Sequence, residues 1–177
     1  VKLAELSEPS QQADYVIIAP QELVGAASEL AAYRRGQNFT PKVVSLEDIY
    51  NEFGYGIPTP RAVQRFLATA YAQWSLKPKY VVLAGDGTYD YQDRQKRADN
   101  LVPPLMVGTG GGLFASDSVF GDVDGDGIPE IAIGRLPVMT AAELRRVIAK
   151  LKVFEAQGLP ANPQALLLAD QPDSGGD

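Results

Sequence analysis

Five short stretches of this chain are built to be buried on both sides, and amphipathic helical segments separate them. Tyr15-Val16-Ile17-Ile18-Ala19 is continuously apolar, β-branched and closed by Pro20; residues 42–45, 80–84, 130–134 and 165–169 repeat the pattern with small variations. A strand that is apolar at successive positions has no face to give to water, so it belongs inside a parallel sheet covered above and below. The intervening segments carry apolar residues every third or fourth position. Leu23, Ala26, Ala27, Leu30 and Ala31 form one stripe, ending at Arg34-Arg35-Gly36, where basic side chains and a glycine suit a helix carboxyl end. Thr59-Pro60 opens a second helix with Val63, Phe66, Leu67, Ala70, Tyr71 and Trp74 on one side. Thr140-Ala141-Ala142-Glu143 reads as a capping box before a stripe of Leu144, Val147, Ile148, Leu151 and Phe154. Ser45 is placed to cap a short helical turn, and Trp74 and Phe154 read as core.

Right-handed crossovers between such units predict an α/β fold: an open, doubly wound, mainly parallel sheet of five strands in the order 2-1-3-4-5, with helices on both faces. Residues 1–13 are polar and read as a lead-in, and residues 14–177 as a single α/β subdomain. Residues 88–120, with Pro103-Pro104 and the glycine run Gly108 to Gly112, read as loop. No strand feeds that run and no helix follows it, so it is flexible loop rather than a phosphate cradle. Ligands of open parallel sheets bind beyond the carboxyl ends of the strands. Here that edge carries Gln21-Glu22, Gly85-Asp86-Gly87, Gly134-Arg135 and Asp170.

Composition narrows the chemistry available there. The chain holds no histidine and no cysteine, which excludes a Ser-His or Cys-His nucleophile, a thiolate or imidazole metal site and a disulfide built from these residues alone. A formal net charge of −6 argues against a nucleic-acid partner, since phosphate contact needs clustered Lys and Arg. No apolar run reaches the roughly 20 residues of a membrane span. Both ends read as cut, as in a mature segment or an excised piece.

The most specific stretch is Asp122-Val123-Asp124-Gly125-Asp126-Gly127-Ile128-Pro129-Glu130. Acids at alternate positions, a glycine at the sixth and an acid at the ninth match the front of a calcium-binding loop, in which a tight turn points hard oxygen ligands inward. Asp122, Asp124 and Asp126 are candidate side-chain ligands of Ca²⁺, Ile128 offers its carbonyl, and Glu130 binds directly or through water. The twelfth position, a bidentate Glu in an EF-hand, is Ile133 here, and no helix precedes the loop. A structural ion is therefore expected rather than a sensor; the competing reading is a solvated acidic turn.

At this loop the chain also resembles a known family. Ala115-Ser116-Asp117-Ser118-Val119-Phe120-Gly121-Asp122, followed by Asp124-Gly125-Asp126-Gly127-Ile128-Pro129-Glu130 and by Gly134-Arg135-Leu136-Pro137-Val138, is similar to the gingipain-type cysteine peptidases. Tyr80-Val81-Val82-Leu83-Ala84-Gly85-Asp86 resembles the third-strand motif of that family, and the helix from Thr140 resembles its Glu-rich helix. The resemblance implies a caspase-like fold of two side-by-side subdomains, with the catalytic His and Cys in the second. This chain would then be the first, non-catalytic half, with the C-terminal catalytic subdomain of the same protein as its partner. It would be inactive as a peptidase by itself and prone to self-association through the exposed docking surface. The resemblance further implies calcium near the acidic loop, best supported at Asp126, Ile128 and Glu130, and an extracellular or cell-surface location. It also places Asp177 near the acid that arginine-specific members use in their substrate pocket.

Other positions carry weaker signals. Asp86 reads equally as a working acid and as a turn residue. A phospho-acceptor role for it, as in receiver domains, fails, because only Glu22 follows the first strand and no Lys follows the fifth. Arg135 reads as the partner of a nearby carboxylate, in the acidic loop or elsewhere, before it reads as a substrate cation. The alternative to a peptidase half is a stand-alone, calcium-stabilised α/β binding or scaffolding module.

Overall fold

The computed structural model describes residues 4–92, 94–96 and 100–158. Four parallel strands make the central sheet: β1 (Tyr15–Ala19), β2 (Pro41–Ser45), β3 (Tyr80–Ala84) and β6 (Ala132–Leu136), in the order β2-β1-β3-β6. That is the expected 2-1-3-4 arrangement. The expected fifth strand at 165–169, together with Asp170 and Asp177, lies outside the described residues. The register is straight, with Tyr15 beside Pro41 and Tyr80, and Tyr80 beside Ala132.

β1 is buried at all five positions because both of its faces are covered. Val16 and Ile18 point into a core shared with α2 (Leu46–Phe53) and α3 (Pro60–Gln73), where Ile49, Val63, Phe66 and Leu67 have no exposed surface. Tyr15, Ile17 and Ala19 point to the opposite face, against α1 (Val24–Arg35) and α4 (Ala141–Gln157). The strand's two-residue alternation thus feeds two separate cores. α1 and α4 also pack on each other, through the Leu30 and Ala31 side of one and the Leu144 and Ile148 side of the other.

Residues 4–13 lie against the α2–α3 face. Leu6 is buried, its carbonyl accepts from Trp74 Nε1 at 2.7 Å, and the Glu52 carboxylate accepts from Leu6 N, Ser7 N and Ser7 Oγ. Burial pushes the Glu52 carboxyl up, but these three bonds outweigh it and hold it below the ordinary carboxylate range.

Four local expectations are corrected. The fourth strand begins at Ala132 rather than at residue 130, because Glu130 N and Ile131 N both donate to Gly121 O and cannot join the ladder. Arg135 therefore sits inside the strand. The glycine run is not loose loop but the closure of a hairpin, β4 (Met106–Thr109) and β5 (Gly112–Ala115), turning over Gly110 and Gly111. Phe154 is 64% exposed, since only the first two turns of α4 cover the sheet. Finally, neither Ser45 nor Thr59 makes a side-chain cap bond; the Ser45 hydroxyl donates to Glu47 instead. Thr140 does cap α4, accepting from Glu143 N while Glu143 accepts from Thr140 N.

Candidate functional site

Two constructions flank β6, one at its amino end and one toward the edge where the strands end. The first is the acidic loop between the 3₁₀ turn Ser118–Phe120 and β6. Gly121 pinches it shut, and a Cβ there would stand 2.2 Å from Ile131 O. Inside the pinch the carboxylates hold the loop's own amides. Asp122 accepts from Gly125 N and Gly127 N, Asp124 from Asp126 N, Asp126 from Ile128 N, and Glu130 from Val123 N. Gly125 and Gly127 take φ values of +83° and +90°, a region that favours glycine.

The result brings Asp122, Asp124 and Glu130 together, with a carboxylate oxygen of each within 4.8 Å of the others. Asp122 and Glu130 are half-buried and Asp124 is exposed. The Asp126 carboxylate is not part of this group, and Ile128 stands 67% exposed. Three converging carboxylates form an all-oxygen donor set, which suits a hard divalent cation and not a soft one.

The second construction is a clamp centred on Arg135. Its Nε and Nη2 donate to the two oxygens of Asp117, each at 2.7 Å, and its Nη1 donates to Gly85 O at 2.9 Å and Val102 O at 2.7 Å. The side chain is only 14% exposed. A bidentate guanidinium–carboxylate pair fixes direction as well as charge, and this one adds two carbonyls from other segments. Arg135 is thus committed to Asp117 and not to the acidic loop. Asp117 was not singled out by spacing; it was visible only inside the Ser116-Asp117 block of the resemblance.

Asp86 is held as a turn residue: its N–H donates to Val138 O, its carbonyl accepts from Val102 N, and its carboxylate accepts from Gly87 N. The glycines around it are obligatory. A Cβ on Gly85 would come within 2.7 Å of a Val102 methyl, and one on Gly87 within 2.2 Å of Val102 O. Beside this turn the hairpin leaves an open, mostly apolar pocket of about 680 Å³, lined from Gly87 to Tyr89, at Pro104 and Met106, and from Leu113 to Ala115. Nothing in the sequence periodicity announced it, because glycine and threonine at three of the eight hairpin positions erase the alternation of apolar and polar residues.

Comparison with known proteins places this architecture. The chain matches peptidase family C25 over residues 8–177. Among solved structures it is similar to dimeric latent PorU from Porphyromonas gingivalis, with 25% identity and a TM-score of 0.65 over 79% of this chain and 15% of that one. The complex of the RgpB pro- and mature domains, also from Porphyromonas gingivalis, shares the fold at 22% identity and a TM-score of 0.59, over 77% and 27% of the respective chains. The Arg-specific cysteine proteinase gingipain R shares it at 20% identity and 0.59, over 85% and 29%. The chain therefore spans less than a third of each of these structures. No curated protein matches it by sequence.

Proposed function

The chain belongs to peptidase family C25, and from that premise we propose that it is the non-catalytic N-terminal half of a gingipain-like cysteine peptidase domain. The observation that carries this reading is the match over residues 8–177 of a chain that contains no His and no Cys. The thiolate nucleophile and its general base then come from a C-terminal catalytic subdomain beyond residue 177, and this half supports the active site without supplying its reacting groups. In the whole enzyme the thiolate attacks a peptide carbonyl, and the imidazole returns a proton to the leaving amine. The parallel sheet, its central strand β1 buried on both faces, is the rigid element on which such a site is held.

The reading includes a structural Ca²⁺ on the acidic loop. Asp122, Asp124 and Glu130 supply its carboxylates, with Asp126 and the Ile128 carbonyl added by their alternate spacing. Support comes from the convergence of three carboxylates and the two glycine bends. The ion would neutralise that mutual repulsion and tie the loop to β6. Asp177 as a substrate-pocket acid, and an extracellular or cell-surface location, follow from family membership in the same proposal. Among the described residues no helix is long and apolar enough to cross a membrane.

The deciding experiment compares the 177-residue chain with the full-length protein on denatured casein and on Arg-containing peptides. The expected outcome is no hydrolysis by the first and hydrolysis blocked by a thiol alkylator in the second. Full-length protein that cleaves nothing, or whose cleavage survives alkylation, would sink the reading in favour of a scaffolding module.

A further inference from the structure

The three segments that the Arg135 clamp joins run directly into the three walls of the pocket beside the hairpin. Gly85 leads to Gly87, Thr88 and Tyr89; Val102 leads to Pro104 and Met106; and Asp117 follows Leu113, Phe114 and Ala115 by two residues. The walls touch without slack, since neither Gly85 nor Gly87 has room for a Cβ against Val102. Among the described residues the lining carries no charged side chain. Its hydroxyls are already engaged, Thr88 Oγ1 by Asp90 N and Tyr89 by Gln95. A charged guest would find no partner here, whereas an apolar one would cover Leu113, 70% exposed, and Phe114, 54% exposed.

The backbone beside the pocket favours a peptide. Ser116 N donates to Leu105 O, so in the alternating pattern of an antiparallel pair the N–H and C=O of Ala115 and Leu113 face away from β4. Among the described residues no strand pairs with that edge, and an extended chain can do so while a side chain enters the pocket.

We propose that this pocket binds an uncharged apolar side chain of an extended peptide, and that Arg135 is the positioning residue that holds its three walls together. The peptide's role as substrate rests on the peptidase reading; the binding itself does not. Arg135 acts only through the walls, because its Nε and both terminal nitrogens are committed to Asp117 and the two carbonyls.

The test uses full-length protein with ¹³C-methyl methionine and N-acetyl amino-acid methylamides as probes, following the Met106 methyl signal, assigned by its loss in Met106→Leu. The leucine and phenylalanine derivatives are expected to shift it saturably, and the aspartate and lysine derivatives to leave it unmoved. Leu113→Asp should abolish the shift. Arg135→Lys and, separately, Asp117→Asn should weaken it several-fold, with the Met139 methyl signal unchanged as the mark of an intact fold. The absence of any saturable shift, as when another part of the protein already fills the pocket, would overturn the site. Equal shifts from charged probes would overturn its chemistry, and wild-type binding by both clamp variants would overturn the role of Arg135. Protein that binds these probes but hydrolyses no peptide would count against the peptidase reading alone.

Discussion

At the scale of single residues, stability concentrates where a side chain or a missing one has no substitute. Glu155 accepts from Arg34, Gln37 and Tyr33 at the seam of α1 and α4. The bond from the Arg34 guanidinium, helped by the other two and opposed by desolvation, pulls its carboxyl down to about 2. A carboxylate depressed on folding contributes stability that is full above its unfolded value and is lost as pH falls through the folded one. For Glu155 that window runs from about pH 4.5 to about pH 2. Glu155→Gln is expected to flatten the fall of stability across it, as read by urea unfolding at a series of pH values. Gly121 makes the opposite kind of demand. Alanine there would place a methyl 2.2 Å from Ile131 O, a backbone atom with nowhere to go. We expect Gly121→Ala to cost roughly 1–3 kcal/mol by urea denaturation, with the acidic loop losing amide-exchange protection first.

At the scale of elements, the two kinds of helix start separate cleanly. Thr140 and Glu143 satisfy each other's amides in a reciprocal cap, so Thr140→Ala should destabilise by about 1 kcal/mol. Ser45 gives its hydroxyl to Glu47, so Ser45→Ala should stay within about 0.5 kcal/mol. Paired thermal melts of the two variants check the contrast. β1, β3 and α3 could be read almost to the residue, because continuous apolar runs and a Thr-Pro start leave few alternatives. The hairpin could not: Gly108, Thr109, Gly110, Gly111 and Gly112 form a run that signals turn, and pairing with Phe114 and Ala115 is what makes strands on either side of it. The start of β6 failed for a different reason. Glu130 and Ile131 look like strand residues, and only the competing acceptor at Gly121 takes them out of the ladder.

At the scale of the whole molecule, the acidic loop ties the 3₁₀ turn after the hairpin to an edge strand of the described sheet. An ion bound to the folded state alone stabilises by mass action, by about 2.7 kcal/mol at a hundredfold excess over its dissociation constant. A melt in saturating calcium should therefore lie several degrees above one in chelator. Asp122→Asn together with Glu130→Gln should close the gap, while Asp126→Asn tests separately whether spacing or spatial convergence selects the ligands. Coincident wild-type curves would remove calcium from the proposed function and leave the family assignment untouched.

The amino-acid sequence by itself determined the class of fold, the order of the first four strands, the Thr140 cap and the absence of a catalytic dyad. Each of these depends on local periodicity, on nearest neighbours along the chain, or on which residue types exist at all. The tertiary structure alone decided that Arg135 belongs to Asp117, Gly85 and Val102, which of the aspartates converge, and that a glycine run closes a hairpin beside a pocket. The Arg135 contacts join residues 18 to 50 apart, and they are set by competition for buried donors and acceptors that no spacing rule encodes.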